Sequence, residues 1–228
     1  MGHKPSAQTV QRVLQSKQET RAYYDKISSV YDILAEHSEG PVRAAGVGKL
    51  ALKSGEQVLE IGYGTGHSLL QIAGAVGPRG RAFGIDLSEG MRARARERLE
   101  QEGVAGRVGL ICGDAGRLPF RPSSMDAIFT SFTLELFDTP EIPHVLSECK
   151  RVLRANGRIG VVAITKEGEE GFAIEAYEWT HRHFPSLLDC RPIFVRRALE
   201  AAGFVIQHAS IEKMWVPVEI VVASQRSA

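Results

Sequence analysis

Val58-Leu59-Glu60-Ile61-Gly62-Tyr63-Gly64-Thr65-Gly66 opens as a short apolar run and closes in three alternating glycines. An apolar run of that length bounded by glycine is expected of a buried parallel strand. Residues 69–76 then read as a helix, closed by Gly77-Pro78. A strand, a glycine loop and a helix in this order place free backbone amides and a positive dipole end beside the loop. Glycines there allow close backbone approach and positive φ. Such a loop alone also suits nicotinamide dinucleotides, or a purely structural turn. Two details favour a different nucleotide: the spacing is G-x-G-x-G, not G-x-G-x-x-G, and Glu60 sits two positions before the first glycine.

The same rhythm continues downstream. Residues 82–85 read as a second strand, and Ser88 as the cap of a helix running to about residue 101. Residues 108–112 and 126–131 read as the third and fourth strands, followed by a helix over about 141–153. Asn156-Gly157 predicts a turn into a fifth strand at 158–164. Strand and helix alternating in this way imply an α/β fold, a doubly wound sheet with helices on both faces. In the tail, a helix over about 193–202 stops at Gly203, and strands at 204–213 and 216–223 pair antiparallel at the sheet edge.

Upstream, residues 1–21 are polar. Tyr24, Ile27, Tyr31 and Leu34 recur at helical spacing, predicting short helices with one buried face. These serve as packing helices or as a flap over a ligand. The division expected is an N-terminal helical arm and flap over 1–45 and a main ligand-binding domain over 46–228.

The chain has 228 residues, 43% hydrophobic and 24% charged, with a net charge of +1. No global field would draw nucleic acid or an anionic membrane. Arg92, Arg94, Arg96 and Arg98 alternate around a helix instead of forming a stripe. Three unevenly spaced cysteines without a C-x-x-C pair argue against a disulfide framework or a structural zinc site, and no metal is expected. No apolar run approaches the roughly 18 residues that span a bilayer. The first residues lack a signal peptide's apolar core, so a cytoplasmic protein is expected.

Two acids follow the glycine loop at telling positions. Asp86 ends the second strand, where a carboxylate can accept hydrogen bonds from both ribose hydroxyls of a nucleoside. Gly113-Asp114-Ala115 ends the third strand, where an acid can accept from an adenine amino group beside a small neighbour. Each alone is an ordinary cap or turn. Together with the loop they line the carboxyl edge of the sheet, where such folds bind ligands.

Glu60 to Gly66, Asp86, Gly113-Asp114-Ala115 and Met125-Asp126-Ala127-Ile128-Phe129-Thr130-Ser131-Phe132 resemble successive motifs of the class I S-adenosylmethionine methyltransferases. Within that class the chain is similar to the ubiquinone and menaquinone C-methyltransferases, through Val30-Tyr31-Asp32, Leu118-Pro119-Phe120 and the segment 151–158. The likeness covers roughly residues 23–165. It implies a Rossmann-like seven-stranded sheet, mostly parallel, with a C-terminal antiparallel hairpin strand, and S-adenosyl-L-methionine as cofactor. It places the methionyl part near Gly62, Tyr63, Gly64 and Gly66, with Glu60 bracing the loop or meeting the amino group through water. Asp86 holds the ribose, Asp114 and Ala115 the adenine; Met91, Tyr31 and Ser131 complete the cofactor set, Met91 suiting a core role equally well. Ala155-Asn156 stands where the quinone enzymes carry Pro-Gly.

Beyond Lys166 the likeness thins, in the region (about 166–192) that shapes the acceptor pocket in the family. Tyr177 and His181 share one helical face there, and His183 another. A histidine could act as a base near neutral pH, or merely be solvated on an amphipathic helix. Cys190 admits a soft-element acceptor or a small buried side chain. No Asn/Asp-Pro-Pro-Tyr motif follows the fourth strand, no acid cluster marks a magnesium site, and no basic aromatic patch suggests nucleic acid. A small organic acceptor is the default, with oligomeric state open. Two other readings stand beside it: a nicotinamide-dependent oxidoreductase, which lacks its Tyr-x-x-x-Lys pair here, and a non-catalytic cofactor-binding subunit or sensor on the same fold.

Overall fold

The computed structural model describes residues 10, 12–13, 15–28, 31–167 and 190–225, with 31–37 described by backbone alone. Helix α1 (Lys17–Ile27) begins at a capping box: Ser16 Oγ accepts from Glu19 N at 3.3 Å, and Glu19 Oε2 accepts from Ser16 N at 2.8 Å. Helix α2 (Tyr31–Lys49) runs through Pro41 and delivers Val47 and Leu50 into the core. The boundary expected at residue 45 falls inside it. Its close approach to the sheet needs Gly46, where a Cβ would overlap Val162 Cγ2.

The quoted run forms β1 (Gln57–Ile61), its loop, and α3 (His67–Val76). Next come β2 (Arg81–Asp86), α4 (Glu89–Gln101), β3 (Val108–Cys112), β4 (Met125–Ser131), α5 (Ile142–Val152) and β5 (Leu153–Ile164). The described chain ends in α6 (Val195–Ala201), β6 (Phe204–Lys213) and β7 (Pro217–Gln225). The seven strands lie in the order β3-β2-β1-β4-β5-β7-β6, the first five parallel and β7 antiparallel to both its neighbours. The seven-stranded, mostly parallel sheet is thus as expected. Its order reverses between β1 and β4, so the crevice for a ligand opens at the carboxyl ends of those two strands.

Alternation along each strand feeds two cores. Leu59, Ile128 and Val161 face α5 and α6, while Val58, Phe129 and Val162 face α2 and α3. Ser88 caps α4 as expected, its Oγ accepting from Met91 N at 3.0 Å. Gly203, with φ of +82°, closes α6. Two expectations need correction. First, β5 starts at Leu153: pairing passes from Met125↔Leu153 to Ala127↔Arg158, so the Asn156-Gly157 turn is absorbed as a bulge within the strand. An ion pair from Arg154 to Asp126 and a 3.0 Å hydrogen bond from Gln225 Nε2 to Leu153 O keep the early residues in the sheet. Second, α1 has no buried face. None of its residues is fully buried, and Thr20, Tyr23, Tyr24 and Ile27 form a half-buried face. Among the described residues no helix is long and apolar enough to cross a membrane.

Candidate functional site

A cleft opens over the carboxyl ends of β1, β2 and β4. The glycine loop forms its floor. Gly62 has φ of +71°, and a Cβ there would overlap Thr133 Oγ1 and Cγ2 and stand 2.7 Å from Thr133 Cβ. Thr133 is itself fixed, its Oγ1 donating to Ser131 O at 2.9 Å. The loops after β1 and β4 therefore touch at a point where only glycine fits.

Asp86 ties the loop to the next unit. Its Oδ2 accepts from Gly64 N and its Oδ1 from Ser88 N, both at 2.9 Å. Burial raises the Asp86 pKa, and these two backbone donors oppose the rise. The carboxylate is held in place by amides that are already turned toward it.

At the other end of the cleft Glu60 is 1% exposed. Burial pushes its carboxyl up to about 8, against the pull of the Arg43 guanidinium. Ser68 lies close enough to favour the charged form, yet among the described residues neither its hydroxyl nor Glu60 Oε2 meets the geometry of a hydrogen bond. Between about 4.5 and about 8 the folded protein keeps a proton on Glu60 that the unfolded chain has released. Stability attributable to this group is whole below about 4.5 and is lost as pH rises through about 8, by at most about 5 kcal/mol. Glu60→Gln is expected to gain on the wild type as pH is raised from about 6 to about 9. Urea melts at both values check this; a gap that does not widen with pH would show that Glu60 ionises without penalty.

The structure gathers Glu60, Gly62, Tyr63, Gly64, Asp86, Met91, Ala115 and Ser131 around one cleft. Gly66 is set back from it against Ala95, and Asp114 is also not among the lining residues. The Asp114 carboxylate accepts from Lys17 Nζ at 2.7 Å and from Gly116 N at 2.8 Å. Met91 combines both of its expected roles, being 1% exposed yet lining the cleft. The Tyr31 side chain and all of Tyr177, His181 and His183 lie outside the described residues.

Sequence reading missed Thr133, the pair Glu39 and Arg43, His67, and the α1 residues Lys17 and Thr20, which also line the cleft; Tyr24, placed by sequence on helices that pack or form a flap, lines it too. Arg43 and Glu39 are i,i+4 neighbours, with side chains 11% and 18% exposed. That spacing was the one local signal available, and it is common on exposed helices.

Comparison with known proteins agrees with this geometry. Residues 58–157 match the family model described as a methyltransferase domain. The chain is 31% identical over 202 residues to nocamycin O-methyltransferase of Saccharothrix syringae, covering 80% of this chain and 71% of that protein. It is 30% identical over 152 residues to demethylmenaquinone methyltransferase of Bacillus cytotoxicus, covering 64% of this chain and 63% of that one, so the match spans less than two thirds of that enzyme. A methyltransferase structure from Aquifex aeolicus superposes with a TM-score of 0.63 at 21% identity, over 89% of this chain and 97% of that chain.

The chain belongs to the class I S-adenosylmethionine-dependent methyltransferases. Within that class it is similar to the menaquinone branch, and S-adenosyl-L-methionine is its cofactor. The cleft residues fit that group. A buried carboxyl with an unbonded oxygen (Glu60), neutral in the empty cleft, suits a cationic amino-acid tail whose charge would draw it back to its ionised form. The apolar sides of Met91, Leu87 and Ala115 suit a flat base.

Proposed function

We propose that this chain transfers a methyl group from S-adenosylmethionine to a small organic acceptor. The observation that carries the reading is the union of the glycine loop and Asp86 through the 2.9 Å bond from Gly64 N, at the reversal of strand order. In this reading Asp86 accepts from the ribose hydroxyls, and Gly62 and Gly64 let the backbone approach the ligand. Glu60 and Arg43 face the two charges of the methionyl tail. Ala115 and Met91 pack against the adenine, while Asp114, set back from the lining and bonded to Lys17 and Gly116, holds the loop that carries Ala115. Gly66 acts one step removed, by turning the chain into α3. Tyr63 shapes the floor, and Tyr31 is proposed as a further cofactor residue.

The bound sulfonium supplies an already activated methyl group. What the chain must do is align the acceptor and exclude water, and positioning alone can be worth on the order of 7–11 kcal/mol. Phe132, Thr133, Leu136 and Phe137 lie on the β4 side of the cleft, where an acceptor would enter. A base is required only for a nucleophile that must lose a proton. Tyr177, His181 and His183 are proposed as the candidates to act on the acceptor, a histidine serving as base where one is needed. The sequence relatives named above are a nocamycin O-methyltransferase and a demethylmenaquinone methyltransferase, names that support a small molecule as acceptor without fixing the atom methylated.

The test is turnover across a panel of phenols, quinols, amines and carboxylic acids, read as a methyl mass gain with formation of S-adenosylhomocysteine. Product from any of them supports the reading. Tight cofactor binding with no product from the whole panel would favour a cofactor-binding subunit or sensor instead.

A further inference from the structure

Helix α1 lies over the nucleoside end of the cleft, and its attachment is unusual in kind. Val13, Gln15, Lys17, Thr20 and Tyr24 line the cleft, yet no residue of α1 is fully buried. Three polar anchors hold it, each on a loop following a different strand. After β4, Asp138 accepts from Arg12 Nε at 2.7 and 2.9 Å and from Val13 N at 3.2 Å, and the guanidinium holds its carboxyl down at about 2. After β3, Lys17 Nζ stands 2.7 Å from Asp114 Oδ2, and it also reaches Glu141 Oε1 at 2.8 Å. After β2, Asp25 Oδ1 accepts from Ser88 Oγ at 2.6 Å and from Gly90 N at 2.9 Å. Ser88 N in turn donates to Asp86. The loops bearing both nucleoside acids are therefore tied to one peripheral helix.

We propose that α1 and the residues leading into it form a polar latch over the cleft, that Lys17 is a positioning residue holding Asp114 to this latch, and that ligand exchange proceeds through its opening. The identity of the ligand rests on the reading above; the latch itself rests on the contacts of α1. Exposed ion pairs are weak one by one and are screened by salt, whereas apolar burial is not. A cover held by such pairs opens readily, and more readily as ionic strength rises.

Two measurements decide it. Dissociation of S-adenosylhomocysteine, followed by stopped flow, should accelerate about threefold or more in the wild type between about 50 mM and about 500 mM salt. Lys17→Met should release it faster already at low salt and lose part of the salt response, the Arg12–Asp138 pair keeping the rest, and Lys17→Arg should restore both. Independently of any ligand, hydrogen exchange of the α1 amides should quicken with salt while α3 does not change. Equal dissociation rates in wild type and Lys17→Met at every salt concentration, or α1 amides as slow and salt-insensitive as those of α3, would overturn the latch. If the nucleoside fails to bind at all, the cofactor reading fails, and hydrogen exchange still judges the latch.

Discussion

Asp86→Asn is expected to weaken S-adenosylhomocysteine binding by about 100-fold to 10,000-fold while leaving a folded protein. Both carboxylate oxygens already accept a backbone amide, from Gly64 and from Ser88, and keep lone pairs for further donors. The asparagine amide has one acceptor oxygen, so its NH2 must face either an amide N–H or the ribose. Hydrogen bonds to a charged group are worth about 1.5–3 kcal/mol each, and two lost bonds account for the range. Asp86→Ala should bind as poorly and be less stable, because it strands the Gly64 and Ser88 amides. Calorimetry gives the affinity and circular dichroism the fold. Asp86→Asn binding within about threefold of the wild type would remove this acid from the site.

Gly62→Ala is expected to be the most damaging single methyl addition in the loop. A left-handed φ of +71° costs a residue with a Cβ roughly 1–2 kcal/mol. The new atom would also overlap Thr133, whose Oγ1 is engaged with Ser131 O. Overpacking of this kind costs about 1–3 kcal/mol more, for a sum of roughly 2–5 kcal/mol together with loss of ligand binding. Gly62→Ala/Thr133→Gly should recover the steric part and keep the conformational part, so denaturant melts on the two singles and the double separate the terms. Wild-type stability in Gly62→Ala would mean that the loops after β1 and β4 do not meet so closely.

What could be read from sequence alone was local. The β1 loop with α3, the acid ending β2, the Ser88 cap and the paired tail strands each announce themselves within a few residues, through period, glycine position or capping chemistry. What could not be read depends on distant partners. Asp114 looked like a ligand acid from its place after β3, but Lys17, 97 residues away, holds one of its oxygens. Arg43 reaches the Glu60 region only because Gly46 lets α2 settle on the sheet, which no local pattern encodes. Helical spacing in α1 was legible; its depth was not, since tyrosines at that spacing serve equally in a core or in a half-exposed cover. The early start of β5 likewise depends on Arg154 meeting Asp126 from another strand.

Titrating the unmodified protein with S-adenosylhomocysteine by calorimetry, with NADH in a parallel run, reaches the core of the matter. One nucleoside site per chain should saturate with the first and show no heat with the second. A cleft that takes up no adenosyl ligand at millimolar concentration, or that prefers the dinucleotide, would contradict the assignment of Glu60, Gly64 and Asp86 to a methyl-donor site.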